Sequence, residues 1–322
     1  SYVQGYGALQ RYDRSGSLEQ AVALFQRATQ QDPNYAEAFA ALGQAYLTQF
    51  RRTREPKWLE QARSAGRRAL QIDDRMAAAH INAGAIGAAT GQTEEALREL
   101  QRALELDPVS ARAYREMAAV YETAGRYKEA EATCLRAVQL RPSDWLGYTT
   151  LGVFYTRRAR YPEAEAPFRR VTELTPDNPV AFTNLGGVYH LMGRYDDAIR
   201  ALERSVAIRP TATAVINLGT IYFFQGRYAE AVKSNEKAIE LAGPNHPSDY
   251  VLWGNLADSY RWTPELADRA PAAYRKAIEL TGRHLEVNPN LPRVVAARAV
   301  YWAKLAGNEQ ALQVLTRMGD YY

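Results

Sequence analysis

The feature that most constrains this chain is a spacing. Pro33, Pro108, Pro142, Pro176 and Pro210 stand 75, 34, 34 and 34 residues apart, and 75 is one interval of 34 plus one of 41. Tyr12, Tyr46, Tyr121, Tyr155, Tyr189, Tyr222, Tyr260 and Tyr301 keep the same beat, with a slip of one residue before Tyr222 and longer gaps near the C-terminus. A third series, Ala21, Ala62, Ala96, Ala130, Ala164, Ala198, Ala231 and Ala270, runs in phase with both. Three independent series in one register establish an internal repeat, and a period of roughly 20 to 50 residues is the mark of a stacked-repeat architecture.

Within a repeat the apolar residues recur at helical spacing. In the unit 179–211, Phe182, Leu185 and Tyr189 mark one amphipathic helix, and Gly193-Arg194-Tyr195 interrupts it. Ala198, Leu202 and Ile208 then mark a second helix, which Pro210 stops. Each unit is therefore a helical hairpin. Gly186 falls in mid-helix, where it costs about 1 kcal/mol against Ala. That is explained if a neighbouring helix comes too close for a Cβ, and the same slot holds Gly43, Gly84, Ala118, Gly152, Gly219 and Ala257.

The segments FAALGQAY (39–46), YTTLGVFY (148–155), FTNLGGVY (182–189) and WGNLADSY (253–260) carry a family likeness. Each is followed by an A-x3-F-like pair and a terminal Pro or its substitute, and together they resemble the tetratricopeptide repeat (TPR). The likeness covers nearly the whole chain. It divides it into nine units, 2–35, 36–76, 77–110, 111–144, 145–178, 179–211, 212–249, 250–290 and 291–322, here taken as one domain, 1–322. It implies an all-α fold, a right-handed superhelical solenoid of about nine TPR hairpins and eighteen helices, because a single hairpin cannot bury its apolar face alone. Three departures stand out. The second unit has seven extra residues within Thr48 to Trp58, read as an exposed loop between its helices with Pro56 near the start of the second helix. The eighth unit has an extended second helix, from Ala270 to about Val287, and the ninth has Arg298 where the small residue belongs.

The same resemblance implies that the first helices line a concave groove that holds a peptide or protein segment. The slot before the Leu-Gly pair reads Asn82, Asn184, Asn217 and Asn255, with Thr150 in another unit. A carboxamide offers both a donor and an acceptor, so a row of them grips an extended main chain without demanding a sequence. The row is similar to the asparagine ladder of the TPR superhelix in O-GlcNAc transferase; the competing reading is that these residues fill packing gaps. Around it the stripe holds Tyr6, Arg115, Thr149, Thr156, Arg157, His190, Phe223, Phe224, Arg261, Trp262 and Trp302. Exposed aromatics beside arginines make recognition hot spots, while Phe223, Phe224 and Trp262 serve equally well as core between units. The Lys and Asn set of an Hsp90-type carboxylate clamp is not supplied by any three consecutive units, which makes Hsp70 and Hsp90 tails poor candidates.

Other functions find little support. The one cysteine, Cys134, excludes an internal disulfide and falls in a core slot. His80, His190, His246 and His284 are too scattered for a zinc site. No Gly-rich phosphate loop occurs, and Glu94-Glu95 and the Glu129/Glu131 pair sit on solvated helix faces. No catalytic residue, metal or cofactor is expected, and the chain is read as no enzyme. The net charge of +4 comes from 40 basic and 36 acidic residues that interleave, which speaks against nucleic acid. Arg51, Arg52, Arg54 and Lys57 form one basic run, read as solvated loop or contact with an acidic partner. No apolar run is long enough to span a bilayer, and localisation is not legible.

Three functional readings follow: an interaction scaffold with a peptide groove; a sensor or regulatory region of a larger enzyme; and a self-assembling solenoid. The second arises because the opening residues 2–47 resemble TPR regions attached to bacterial Ser/Thr kinases and transcriptional regulators. The third arises because neither end looks capped, which leaves the end faces for flanking sequence, a partner, or another copy through Val314 and Leu315.

Overall fold

A computed structural model describes residues 1–9, 16–243, 246, 248–288 and 291–307. Tyr12, Val314, Leu315 and the second helix expected for the ninth unit lie outside these residues. The described chain forms two compact units, Ser1–Phe154 and Tyr155–Tyr322, whose boundary falls inside one helix. It contains helices and no strand. The first unit pairs α1 (Tyr2–Leu9) with α2 (Ser17–Gln31), α3 (Ala36–Thr53) with α4 (Pro56–Ile72), α5 (Ala77–Ala89) with α6 (Thr93–Leu106), and α7 (Ala111–Thr123) with α8 (Tyr127–Leu140). Then comes α9 (Trp145–Arg157), which crosses the boundary. The second unit continues with α10 (Tyr161–Leu174), α11 (Pro179–Leu191), α12 (Tyr195–Ile208), α13 (Ala212–Phe224) and α14 (Tyr228–Ala242). Its remaining described helices are α15 (Asp249–Arg261), a short 3-10 helix (Pro264–Arg269), α16 (Ala270–Val287) and α17 (Pro292–Ala306). No described helix is long and apolar enough to cross a membrane.

The small-residue series mark where helices meet. Ala21, Ala62, Ala96, Ala130, Ala164, Ala198 and Ala231 are wholly buried. The mid-helix glycines have the close neighbours their position implied: a Cβ on Gly84 would lie 2.6 Å from Leu100 Cγ, and one on Gly219 would lie 2.7 Å from Asn235 Oδ1. Helix propensity is given up at these slots so that the two helices of a hairpin can touch.

The turn between the helices is a repeated device. Gly125, Gly193 and Gly226 take φ of 73–74°, and Ala159 takes the same left-handed turn at φ 55° without a glycine's freedom. The next residue is always arginine. Its backbone N–H reaches back to the tyrosine carbonyl five residues earlier (Arg126 to Tyr121, Arg160 to Tyr155, Arg194 to Tyr189, Arg227 to Tyr222) at 2.8–2.9 Å, closing the first helix. Its guanidinium then lies 4.3–4.6 Å from the centre of that same tyrosine ring. The carboxylate three residues on, Glu129, Glu163, Asp197 or Glu230, accepts from it at 2.7–3.0 Å. This accounts for arginines that alternate with acids along the sequence: they lock turns.

The insertion in the second unit is not a loop. Its residues lengthen the helices, α3 to 18 residues and α4 to 17, and leave only Arg54 and Glu55 between them. Gln49, Arg51 and Arg52 favour another helical turn, and that turn is anchored: Gln49 is buried, Arg51 pairs with Glu116 at 2.7 Å, and Arg52 pairs with Glu19 at 2.6 Å. The extra residues make contacts that a free loop would lack. Pro56 does stand at the start of α4, and α16 runs from Ala270 to Val287 as the sequence implied. Arg298 in α17 is exposed.

Candidate functional site

In the first unit the expected groove residues turn inward. Asn82 is wholly buried; its amide donates to the Ala40 carbonyl at 2.7 Å and its Oδ1 accepts from Arg112. Arg112 also donates to Gln44 Oε1 at 3.1 Å, so Gln44, Asn82 and Arg112 join α3, α5 and α7 in one network. Burial pushes the Arg112 guanidinium down to about 10, against the pull of Glu116. Asn82 is thus no rung of an open ladder. The period placed it in the right slot, but α3 comes so close that a Cβ on Gly43 would lie 3.0 Å from the Asn82 amide nitrogen.

Tyr6 is half-buried, its ring 5.2 Å from Tyr2 and 5.6 Å from Phe25, which makes it part of the first hairpin's packing. Arg115 faces Asp144 at 3.8 Å, and burial lowers its pKa. The hydroxyls of Thr149 and Thr150 donate to Trp145 and Leu146 in their own helix at 2.9 Å, leaving only acceptor capacity. Arg157, at the end of α9 and already in the second unit, is exposed, and Thr156 before it is half-buried.

The second unit is different. Asn184 on α11, Asn217 on α13 and Asn255 on α15 are half-buried, and their side-chain amides bond to nothing among the described residues. α11 lies against α13, and α13 against α15, so the three carboxamides recur once per hairpin. Beside them runs a chain of rings. His190 sits 5.8 Å from both Tyr195 and Phe224, Phe224 6.2 Å from Phe223, Phe223 5.4 Å from Tyr228, and Tyr228 stacks on Trp262 at 5.7 Å. Of the residues with two competing readings, Phe224 and Trp262 are surface, 62% and 57% exposed, and Phe223 is half-buried between its neighbours. His190 Nδ1 is buried without a partner among the described residues, and burial lowers the pKa of the ring. Arg261 and Trp302 are exposed. Sequence reasoning missed Tyr195, Tyr228 and Leu191; the first two follow the turn arginine, where recurrence of tyrosine was the available signal.

Cys134 on α8 is 2% exposed, and burial, helped by Glu122 and Glu131, pushes its thiol up to about 12. A buried neutral thiol is no nucleophile. The native chain is expected to resist iodoacetamide at about pH 8 and to be fully labelled once denatured; mass spectrometry reads both, and native labelling would place Cys134 at the surface. Among the described residues no group of three or more His, Cys, Asp or Glu side chains gathers as a metal site.

Comparison with known proteins gives one family. A TPR repeat model matches residues 10–49, and tetratricopeptide repeat models match 88–144, 147–211 and 210–281. A solved tetratricopeptide repeat protein from Parabacteroides merdae is similar at a TM-score of 0.51 and 19% identity, over 79% of this chain and 95% of that one. PilF of Pseudomonas aeruginosa reaches 0.51 at 20% identity, over 63% of this chain and 89% of that one. A chain of the Cut9–Hcn1 hetero-tetramer of the APC/C reaches 0.60 at 17% identity, over 91% of this chain and 54% of that one. At these identities the likeness is one of fold. No curated protein sequence matches significantly. The repeat matches at 88–144 and 147–211 end where the structure ends a hairpin, between α8 and α9 and between α12 and α13, and the chain belongs to the tetratricopeptide repeat family.

Proposed function

We propose that this chain is a protein-interaction scaffold whose second unit holds an extended peptide segment on the face made by α11, α13 and α15. The observation that carries the reading is the row Asn184, Asn217 and Asn255, three carboxamides with no partner among the described residues, one per hairpin. The polar atoms of these amides stay open to water, and that water can be exchanged for the main chain of a ligand. An extended main chain laid across the three helices offers each of them a carbonyl or an N–H.

The test is a comparison of wild type with Asn184→Ala, Asn217→Ala and Asn255→Ala combined, using an unstructured peptide selected on wild type from an array. A net contribution at the lower half of the usual range for a neutral hydrogen bond predicts a loss of about tenfold to a hundredfold in affinity for the triple variant, and only a few-fold for each single one. Unchanged affinity in the triple variant would sink the groove. Asn82→Ala, in contrast, belongs to the packing of the first unit and is expected to leave this affinity alone.

A further inference from the structure

A hollow of about 610 Å3 opens along α4 in the first unit, lined by Phe39 and Leu42 of α3 and by Arg63, Arg67, Arg68 and Gln71 of α4. Its three guanidiniums are poorly answered. Arg68 donates to two uncharged acceptors, the Pro33 carbonyl at 3.0 Å and Asn34 Oδ1 at 3.3 Å. Arg63 reaches Glu60, the one carboxylate lining the hollow, only at 3.9 Å. Arg67 is exposed and has no partner among the described residues. Arg63 and Arg67 stand at i and i+4, where like charges weaken a helix. Both also line a second hollow of about 280 Å3, beside α5 and α6, in which Glu95 is the one acid.

The repeat supplies an internal comparison. Ala62 on α4 and Ala164 on α10 are 102 residues apart, three periods of 34, which sets Arg67 and Arg68 against Arg169 and Arg170. In α10 both arginines have carboxylates of their own helix, Arg169 with Glu165 at 2.6 Å and Arg170 with Glu173 at 2.8 Å. Those two acids correspond to Arg63 and Gln71 in α4. α4 thus keeps the basic pair, lacks both counter-ions and adds a third arginine. What is missing is a pair of carboxylates, an anion that the guanidinium fork grips with two parallel bonds. The wall from Glu60 to Gln71 is about 16 Å long, more than one small anion covers. Gln61, Ser64 and Gln71 are exposed on it and offer donors and acceptors to a main chain. We propose that α4, with Phe39 and Leu42 beside it, forms a docking site for a glutamate- and aspartate-rich segment of a partner protein. The site lies in the first unit and does not depend on the asparagine row.

The experiment titrates the full chain, read by anisotropy, with a fluorescein-labelled peptide of about ten residues, long enough when extended to cover the wall, with glutamate at every second position. Matched probes carry glutamine or phosphoserine at those positions. The glutamate probe should bind about tenfold or more tightly than the glutamine probe, and more weakly as salt is raised. Arg63→Gln with Arg67→Gln should weaken it by about fivefold or more. Arg169→Gln with Arg170→Gln removes the same charge from α10 and should change the affinity by less than about twofold. Arg63→Glu with Gln71→Glu gives α4 the acids of α10 and should abolish binding, with helicity by circular dichroism confirming that each variant folds. Equal binding of the glutamine probe overturns the proposal. So do equal losses in the two paired-arginine variants, which would show attraction to net charge alone. Binding of the phosphoserine probe about tenfold more tightly than the glutamate probe would assign the hollow to phosphate instead, and a glutamate probe that does not bind refutes the site.

Discussion

Leu202→Ala is expected to lower stability by about 2–5 kcal/mol, and Gly186→Ala in the same chain to restore part of the loss. Leu202 is wholly buried on α12 and packs against the glycine slot of α11. A Cβ on Gly186 would lie 2.7 Å from Leu202 Cγ, 3.1 Å from its Cδ2 and 3.2 Å from the Ala198 carbonyl oxygen. Truncating the leucine leaves a cavity that the facing helices cannot collapse, hence the size of the effect. Adding the methyl alone overpacks the contact by about 1–3 kcal/mol, offset by about 1 kcal/mol of improved helix propensity. When both changes are made the methyl enters space the leucine has left. The cycle should therefore show a coupling of about 0.5–3 kcal/mol in the direction of rescue. Urea midpoints followed by circular dichroism measure all three variants, with the slope checked for constancy. Additive losses would mean that Gly186 is not in the slot for the reason given.

Asn82→Ala is expected to cost about 2–4 kcal/mol, while Asn217→Ala, at the same repeat position, costs less than about 0.5 kcal/mol. Asn82 gives up two bonds: the one to the Ala40 carbonyl at 2.7 Å, and the one it accepts from the charged Arg112. The second weighs more, since a bond to a charged group is worth about 1.5–3 kcal/mol and Arg112 is left buried with one acceptor fewer. Asn217 is half-buried and has no side-chain partner among the described residues to lose. The pair separates a structural asparagine from a binding one by stability alone, before any ligand is in hand. Equal costs at the two sites would show that burial does not distinguish them.

Repeat spacing made much of the hairpin plan legible. The series Ala96, Ala130, Ala164 and Ala198 marked residues that are wholly buried, and Pro108, Pro142, Pro176 and Pro210 lie in the gaps between helices. Mid-helix Gly84 and Gly186 announced close approach because a residue that weakens a helix is kept only where a larger one does not fit. These are signals of local chemistry repeated at fixed intervals, and one sequence carries them. The seven extra residues near Phe50 were misread because a change in period says how many residues were added and nothing of their conformation. Here two helix extensions, tied by Arg51 to Glu116 and Arg52 to Glu19, were available to them.

What the sequence by itself determined is the hairpin, its turn and its small contact slots, each dictated by residues within about one period of one another. What only the tertiary structure decided is which repeat positions face the open. Asn82 and Asn184 share a slot, but Arg112, thirty residues beyond Asn82, and Gln44, thirty-eight before it, close over the first, while the half-buried amide of the second has no partner among the described residues. Depth of burial is set by side chains that arrive from other helices, and a periodic pattern along one chain does not record which of them reach across. The same holds for the rings. His190, Phe224, Phe223, Tyr228 and Trp262 come from α11, α13, α14 and the end of α15, and their contacts at 5.4–6.2 Å exist only because the hairpins stack in that order.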